Sequence, residues 1–209
     1  YRGECITNMI EIQRKPDKKV SCIKRVLLIN PFLYGSKSIN IGVDPVVSRH
    51  AGQEIKTGVT FPIGLAYMAA ILLKAGYEVR IIDPIAEHIS VRQIYDASNW
   101  ADAIVMPYSS VHKEDVKRYF CDFSDKLRIL GGGISKYVHN YLFQNNIADI
   151  IFNGEPEETI VDIVRLFPDI HNVKGIIYRA DSGSSVITQE RPPILDLDSL
   201  PFPMRDFTD

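Results

Sequence analysis

Five short apolar runs recur along the chain, at Val26-Leu27-Leu28-Ile29 and over 78–82, 103–106, 127–130 and 149–152. Each is too short for a helix and mostly apolar, the first continuously so, which is the pattern expected of strands buried in a parallel sheet. Between the runs, apolar residues recur at three- and four-residue intervals, which predicts helices over 63–75, 91–98, 113–124, 136–144 and 157–167. Pro62 stands at a favourable first helical position and Gly76 at the matching C-terminal position.

Strands alternating with helices predict the α/β class. The expected architecture is a Rossmann-like or flavodoxin-like doubly wound sheet of five parallel strands, in the order 2-1-3-4-5 by analogy with flavodoxin-like domains. After the last helix, residues 175–179 and 185–189 flank Ala180-Asp181-Ser182-Gly183-Ser184, a hairpin pattern that would extend one edge of the sheet. The resulting division is a polar segment over 1–24, the main domain over 25–170, the hairpin over 171–190 and a Pro- and Asp-rich linker over 191–209. One connection is out of scale. Residues 31–60 separate a strand from its helix by about thirty positions where a few suffice, so this loop is either functional or disordered.

At 209 residues and 45% apolar content, the chain suits one domain with a sizeable core. Residues 1–25 carry seven Lys/Arg against three Asp/Glu, leaving a mildly acidic body that gives no reason to expect nucleic acid as a partner. The basic head lacks the apolar stretch of a signal peptide or a membrane span, so the expectation is a cytoplasmic protein without membrane attachment. Cys5, Cys22 and Cys121 are too dispersed for a CxxC, a CxxxCxxC or a disulfide framework.

Candidate chemistry gathers at the strand ends, where open α/β sheets bind ligands. These ends are Asn30-Pro31-Phe32, Asp83-Pro84, Tyr108-Ser109-Ser110-Val111, Gly131-Gly132-Gly133-Ile134 and Asn153-Gly154-Glu155. Three consecutive glycines leave a strand end bare, so a bulky group can approach the backbone; a permissive turn is the plainer reading. The first strand is not followed by G-x-G-x-x-G, and no G-x-x-x-x-G-K-[ST] occurs, which argues against a dinucleotide or a nucleotide triphosphate. The five histidines have no metal-ligand spacing, although Arg49 and His50 lie in the long loop. Glu157 and Glu158 open a predicted helix, where its dipole favours negative charge, whereas Glu155 precedes it at the rim.

Taken in order, Asn30-Pro31, Phe61-Pro62-Ile63-Gly64-Leu65-Ala66-Tyr67, Gly131-Gly132-Gly133, Asn153-Gly154-Glu155-Pro156-Glu157-Glu158-Thr159 and Leu200-Pro201-Phe202-Pro203-Met204-Arg205-Asp206 resemble one family. It is the cobalamin (vitamin B12)-binding domain of cobalamin-dependent radical SAM enzymes. The resemblance implies that the corrinoid lies over the strand ends, with its nucleotide tail beside Gly131, Gly132 and Gly133 and within reach of Ser109 or Ser110. Asn30, Pro31, Phe32, Tyr108, Val111, Ile134, Asn153, Gly154 and Glu155 complete the implied cofactor-binding set. Phe32 stands where better-known cobalamin domains place the histidine of D-x-H-x-x-G, so no protein metal ligand is expected from that position. On the same grounds, Gly132→Leu is expected to abolish corrinoid uptake and leave the fold intact.

The implied function is to hold base-off, His-off (methyl)cobalamin for methyl transfer or related radical chemistry. S-adenosylmethionine and a [4Fe-4S] cluster would act through a radical SAM domain, in the same full-length protein or a separate one. The chain has no CxxxCxxC and stops where that domain would begin, so a fragment of a longer methyltransferase-like enzyme is expected, with no catalytic residue of its own. The alternative is a flavodoxin-like scaffold that has lost its cofactor and serves docking or substrate contact.

Overall fold

The computed structural model describes residues 20–30, 61–84, 86–87, 89–109 and 113–205, with nothing said of the side chains of residues 114, 115 and 118. Seven strands form one sheet: β1 (Arg25–Ile29), β2 (Glu78–Ile82), β3 (Ala103–Pro107), β4 (Leu127–Gly131), β5 (Ile150–Phe152), β6 (Ile176–Arg179) and β7 (Ser185–Ile187). Their order is β2-β1-β3-β4-β5-β6-β7, with the first five parallel and β6 and β7 added antiparallel. The five-stranded expectation is thus embedded in a wider mixed sheet. The hairpin strands pair onto the free edge of β5, Phe152 facing Ile176 and Ile177 facing Ile187.

Five α-helices cover the sheet: α1 (Ile63–Lys74), α2 (Val91–Trp100), α3 (Lys113–Asp122), α4 (His139–Gln144) and α5 (Pro156–Leu166). Successive strand residues alternate between two cores, as the two-residue pleat requires. Val26, Leu28, Ala103, Val105 and Ile129 pack with α1 and α5, whereas Leu27, Ile29, Ile104, Met106 and Leu130 pack with α2, α3 and α4. Ala66 and Ala69 let α1 lie close against the sheet, being fully buried, but Gly64 does not contribute, since a Cβ there would meet nothing within 4 Å.

Local chemistry explains the helix boundaries. Ser90 and Gln93 form a reciprocal capping box at the start of α2. Pro62 is the residue before α1 rather than its first residue, and Gly76 ends that helix with φ +89°. The helix expected over 136–144 is interrupted. Ser135–Tyr137 form a 3-10 turn, and α4 begins only at His139.

The stretch expected as a linker is fastened to the domain through residue 204. Arg191 bridges Glu158 and Asp162 on α5, and the Met204 amide donates to the Ala66 carbonyl on α1 at 3.1 Å. Leu195, Leu197 and Phe202 nevertheless face outward.

Candidate functional site at the strand carboxyl ends

Because β1 to β5 are parallel, their carboxyl ends share one side of the sheet, and Asn30, Asp83, Tyr108, Gly131 to Gly133 and Asn153 stand along it. Of the expected cofactor-binding residues, Pro31, Phe32, Ser110 and Val111 lie outside the described residues, as do Arg49 and His50. The others, Asn30, Tyr108, Ser109, Gly131, Gly132, Gly133, Ile134, Asn153, Gly154 and Glu155, are carried on the ends of β1, β3, β4 and β5.

The three glycines have three different surroundings. A Cβ on Gly131 would meet the Phe152 ring at 3.3 Å, so this glycine accommodates core packing. Gly132 has φ +107°, and a Cβ there would lie 2.4 Å from the Tyr108 carbonyl oxygen. Beside it, the Tyr108 amide donates to the Gly131 carbonyl at 2.6 Å, prolonging the β3–β4 pairing. Gly132 is therefore required by the approach of two backbones and by its left-handed conformation. Gly133 differs from both, since a Cβ there would meet nothing within 4 Å. The expectation for Gly132→Leu is corrected accordingly: that side chain would clash with the protein itself, and Gly133 is the position that opens onto free space.

Ser135 secures this turn. Fully buried, it donates from Oγ to the Gly132 carbonyl at 2.7 Å, leaving Gly133 and Ile134 exposed. At the neighbouring strand end, Gly154 has φ +136° and a Cβ there would likewise meet no atom within 4 Å, while the Asn153 amide donates to the Gly175 carbonyl. Glu155 is occupied structurally: its Oε2 accepts the Ile194 amide at 2.8 Å, and its carbonyl accepts from Thr159 Oγ1. Glu157 lies in the first turn of α5 with its Oε2 buried and without a hydrogen-bond partner. Burial, aided by the proximity of Glu155, pushes its carboxyl above the usual range.

On the other flank, Asn30 Nδ2 donates to Asp83 Oδ2 at 2.8 Å, tying the ends of β1 and β2. Asp83 is 1% exposed, and its Oδ1 accepts the Ala86 amide while its own amide donates to Glu87 Oε1. Burial first, and Asp83 next to it, raise the Glu87 carboxyl against the lowering effect of that amide. Sequence reasoning leaves Asp83 and Ser135 out of the cofactor-binding set. The signal for Asp83 is its place directly after the second apolar run; Ser135 has none beyond lying two residues past the glycines.

A hollow of about 990 Å³ opens at the opposite, amino end of the strands, lined by Leu127, Arg128, Asp149, Phe167, His171 and Arg179 among others. Its central charges are already engaged. Arg128 uses all five side-chain N–H donors, on Asp149, Phe120 O, Asn146 O and Asn146 Oδ1. Among the described residues no group of three His, Cys, Asp or Glu could hold a metal ion, and no helix is long and apolar enough to cross a membrane.

No protein-family model and no curated protein matches the sequence. Solved structures do match the fold. OxsB, a cobalamin-dependent S-adenosylmethionine radical enzyme solved with aqua-cobalamin and S-adenosylmethionine, aligns with TM-score 0.64 at 15% identity, over 88% of this chain and 24% of its own. TsrM from Kitasatospora setae, a radical S-adenosylmethionine methyltransferase solved with cobalamin and a [4Fe-4S] cluster, aligns with TM-score 0.60 at 13% identity, over 88% and 32%. The same enzyme with tryptophan substrate and a SAM analogue gives 0.58, over 79% and 30%. The chain therefore spans about a quarter to a third of the length of these enzymes, and with them it shares the α/β, Rossmann-like fold.

Proposed function

We propose that this chain is a cobalamin-binding domain that holds the corrinoid across the carboxyl ends of β1, β3, β4 and β5. The observation that carries the reading is Gly133, a side-chain-free position at the strand-four end with no protein atom within 4 Å of where a Cβ would lie. It supports the placing of a bulky ligand there, between Tyr108-Ser109 on one side and Asn153-Gly154 on the other. Similarity of fold to enzymes solved with cobalamin supports the choice of ligand.

In this reading Gly132 and Ser135 keep the turn flat, Asn153-Gly154 bounds the far side, and Ile134 shields the ligand edge from water. Phenylalanine stands at position 32, so no imidazole from that position would ligate cobalt, and in this reading the cofactor would be held His-off, with its nucleotide tail beside the glycines and its base off the metal. Bound cobalamin supplies a transferable alkyl group, and its use for methyl transfer or related radical chemistry belongs to an iron-sulfur domain with S-adenosylmethionine. That domain is in the same full-length protein or in a separate partner.

Titration of the purified chain with hydroxocobalamin and methylcobalamin, followed by the visible spectrum, tests the proposal. Saturable binding with a base-off spectrum is the expected result. A folded chain that leaves both spectra unchanged overturns it and favours a scaffold without cofactor.

A further inference from the structure

The Asn30–Asp83 pair has a direction that follows from its atoms. Both Asp83 oxygens act as acceptors, Oδ2 from Asn30 Nδ2 and Oδ1 from the Ala86 amide. The Asn30 carboxamide is therefore turned with its NH2 toward Asp83, and its carbonyl oxygen is the group left over. No donor to that oxygen occurs among the described residues. Asn30 directly follows β1, its amide still bonded to the Ile82 carbonyl, so the oriented carboxamide stands in line with the other strand ends.

We propose that Asp83 is a positioning residue that fixes Asn30 as a one-way hydrogen-bond acceptor for a carboxamide N–H on the edge of the bound corrinoid. The inference rests on the cobalamin reading above and adds a specific recognition contact to it. Cobalamin carries primary carboxamides around its ring, each with two N–H donors. An asparagine free to flip could offer either a donor or an acceptor to such a group; the carboxylate behind Asn30 removes that choice. Asp83 is 1% exposed, so in this reading its carboxylate acts on the ligand through Asn30.

Asp83→Asn separates this role from a simple tie between strands. The carboxamide introduced at position 83 would keep the Ala86 amide on its oxygen and present its NH2 to residue 30, so the β1–β2 hydrogen bond survives only if Asn30 turns over. The Asn30 carbonyl then faces inward and its NH2 faces the ligand. Hydroxocobalamin affinity of Asp83→Asn should fall about tenfold, the effect of losing one hydrogen bond and opposing two donors. Its thermal unfolding midpoint should stay near that of the wild type. The double variant Asn30→Asp, Asp83→Asn restores both the tie and an outward oxygen, and should regain most of the affinity. Asn30→Leu, which removes the acceptor whatever Asp83 does, should bind as weakly as Asp83→Asn and serves if the latter fails to fold. Wild-type affinity in Asp83→Asn or Asn30→Leu, or no recovery in the folded double variant, overturns the inference while wild-type binding upholds the cofactor reading. Absence of binding by the folded wild-type chain overturns both.

Discussion

The two ends of the parallel sheet are built on opposite principles. At the amino end, Arg128 is almost fully buried and spends every donor on Asp149, Asn146 and Phe120, while Arg179 adds a further contact to Asp149. At the carboxyl end, side chains are withdrawn: three glycines, one oriented carboxamide and a serine that serves only the turn. A hollow of about 990 Å³ lies at the first end, and its central charges, Arg128, Asp149 and Arg179, are engaged with one another. Under the cobalamin proposal, the uncommitted groups at the carboxyl end weigh more than the volume at the amino end.

If stability and binding are divided in this way, substitutions at the two ends should have separable effects. The largest loss of stability is expected from Arg128→Met, which strands Asp149 and two backbone carbonyls. Breaking a buried pair by removing one partner costs about 3 kcal/mol, and the retained Arg179 contact keeps the effect from being larger. Urea denaturation measures it, and the cobalamin affinity of the folded variant should be unchanged. A parallel loss of affinity would break the division between the ends.

Next in size is the contrast between adjacent glycines. Gly132→Ala forces a Cβ against the Tyr108 carbonyl at φ +107°, a strain of about 2 kcal/mol. Gly133→Ala should change stability by less than about 0.5 kcal/mol, as at an unconstrained surface site. Gly133→Leu should keep that stability while weakening cobalamin uptake by at least about tenfold, a loss of one or two contacts' worth of free energy. Uptake by Gly133→Leu equal to that of the wild type would remove Gly133 from the site.

The smallest effect is expected at Glu157, the one carboxylate among the described residues with a buried oxygen lacking a partner. Its folded-state carboxyl is raised by burial, so the charged form weakens the fold above that raised value. The penalty disappears as pH falls toward the unfolded value of about 4.3. Glu157→Gln should accordingly be more stable than the wild type at neutral pH, by roughly 0.5 kcal/mol, with the advantage vanishing near pH ~4. Thermal unfolding across that range checks both sign and window.

Much of this organisation was legible in the chain. Continuous apolar runs marked β1 and β3, because a strand covered on both faces admits no polar alternation, whereas β2, at the sheet edge, exposes Glu78 and Arg80 and was marked by Val79, Ile81 and Ile82. The 136–144 prediction failed for a local reason. Ser135 folds its hydroxyl back onto Gly132 and starts a tighter turn, and the apolar spacing of Val138, Leu142 and Phe143 suits either arrangement. The docked course of residues 191–204 was equally hidden, since Arg191 reaches Glu158 and Asp162 across some thirty positions of sequence.

The sequence by itself determined the class of fold, the strand order by analogy and which residues stand at the strand carboxyl ends, because hydrophobic period and glycine position are local properties. Only the tertiary structure distinguished three consecutive glycines, giving one to Phe152, one to the Tyr108 backbone and one to open space. It also joined Asn30 to Asp83 across 53 positions. Neither outcome could be read from spacing, since each depends on which strand lies beside which and at what distance the backbones meet.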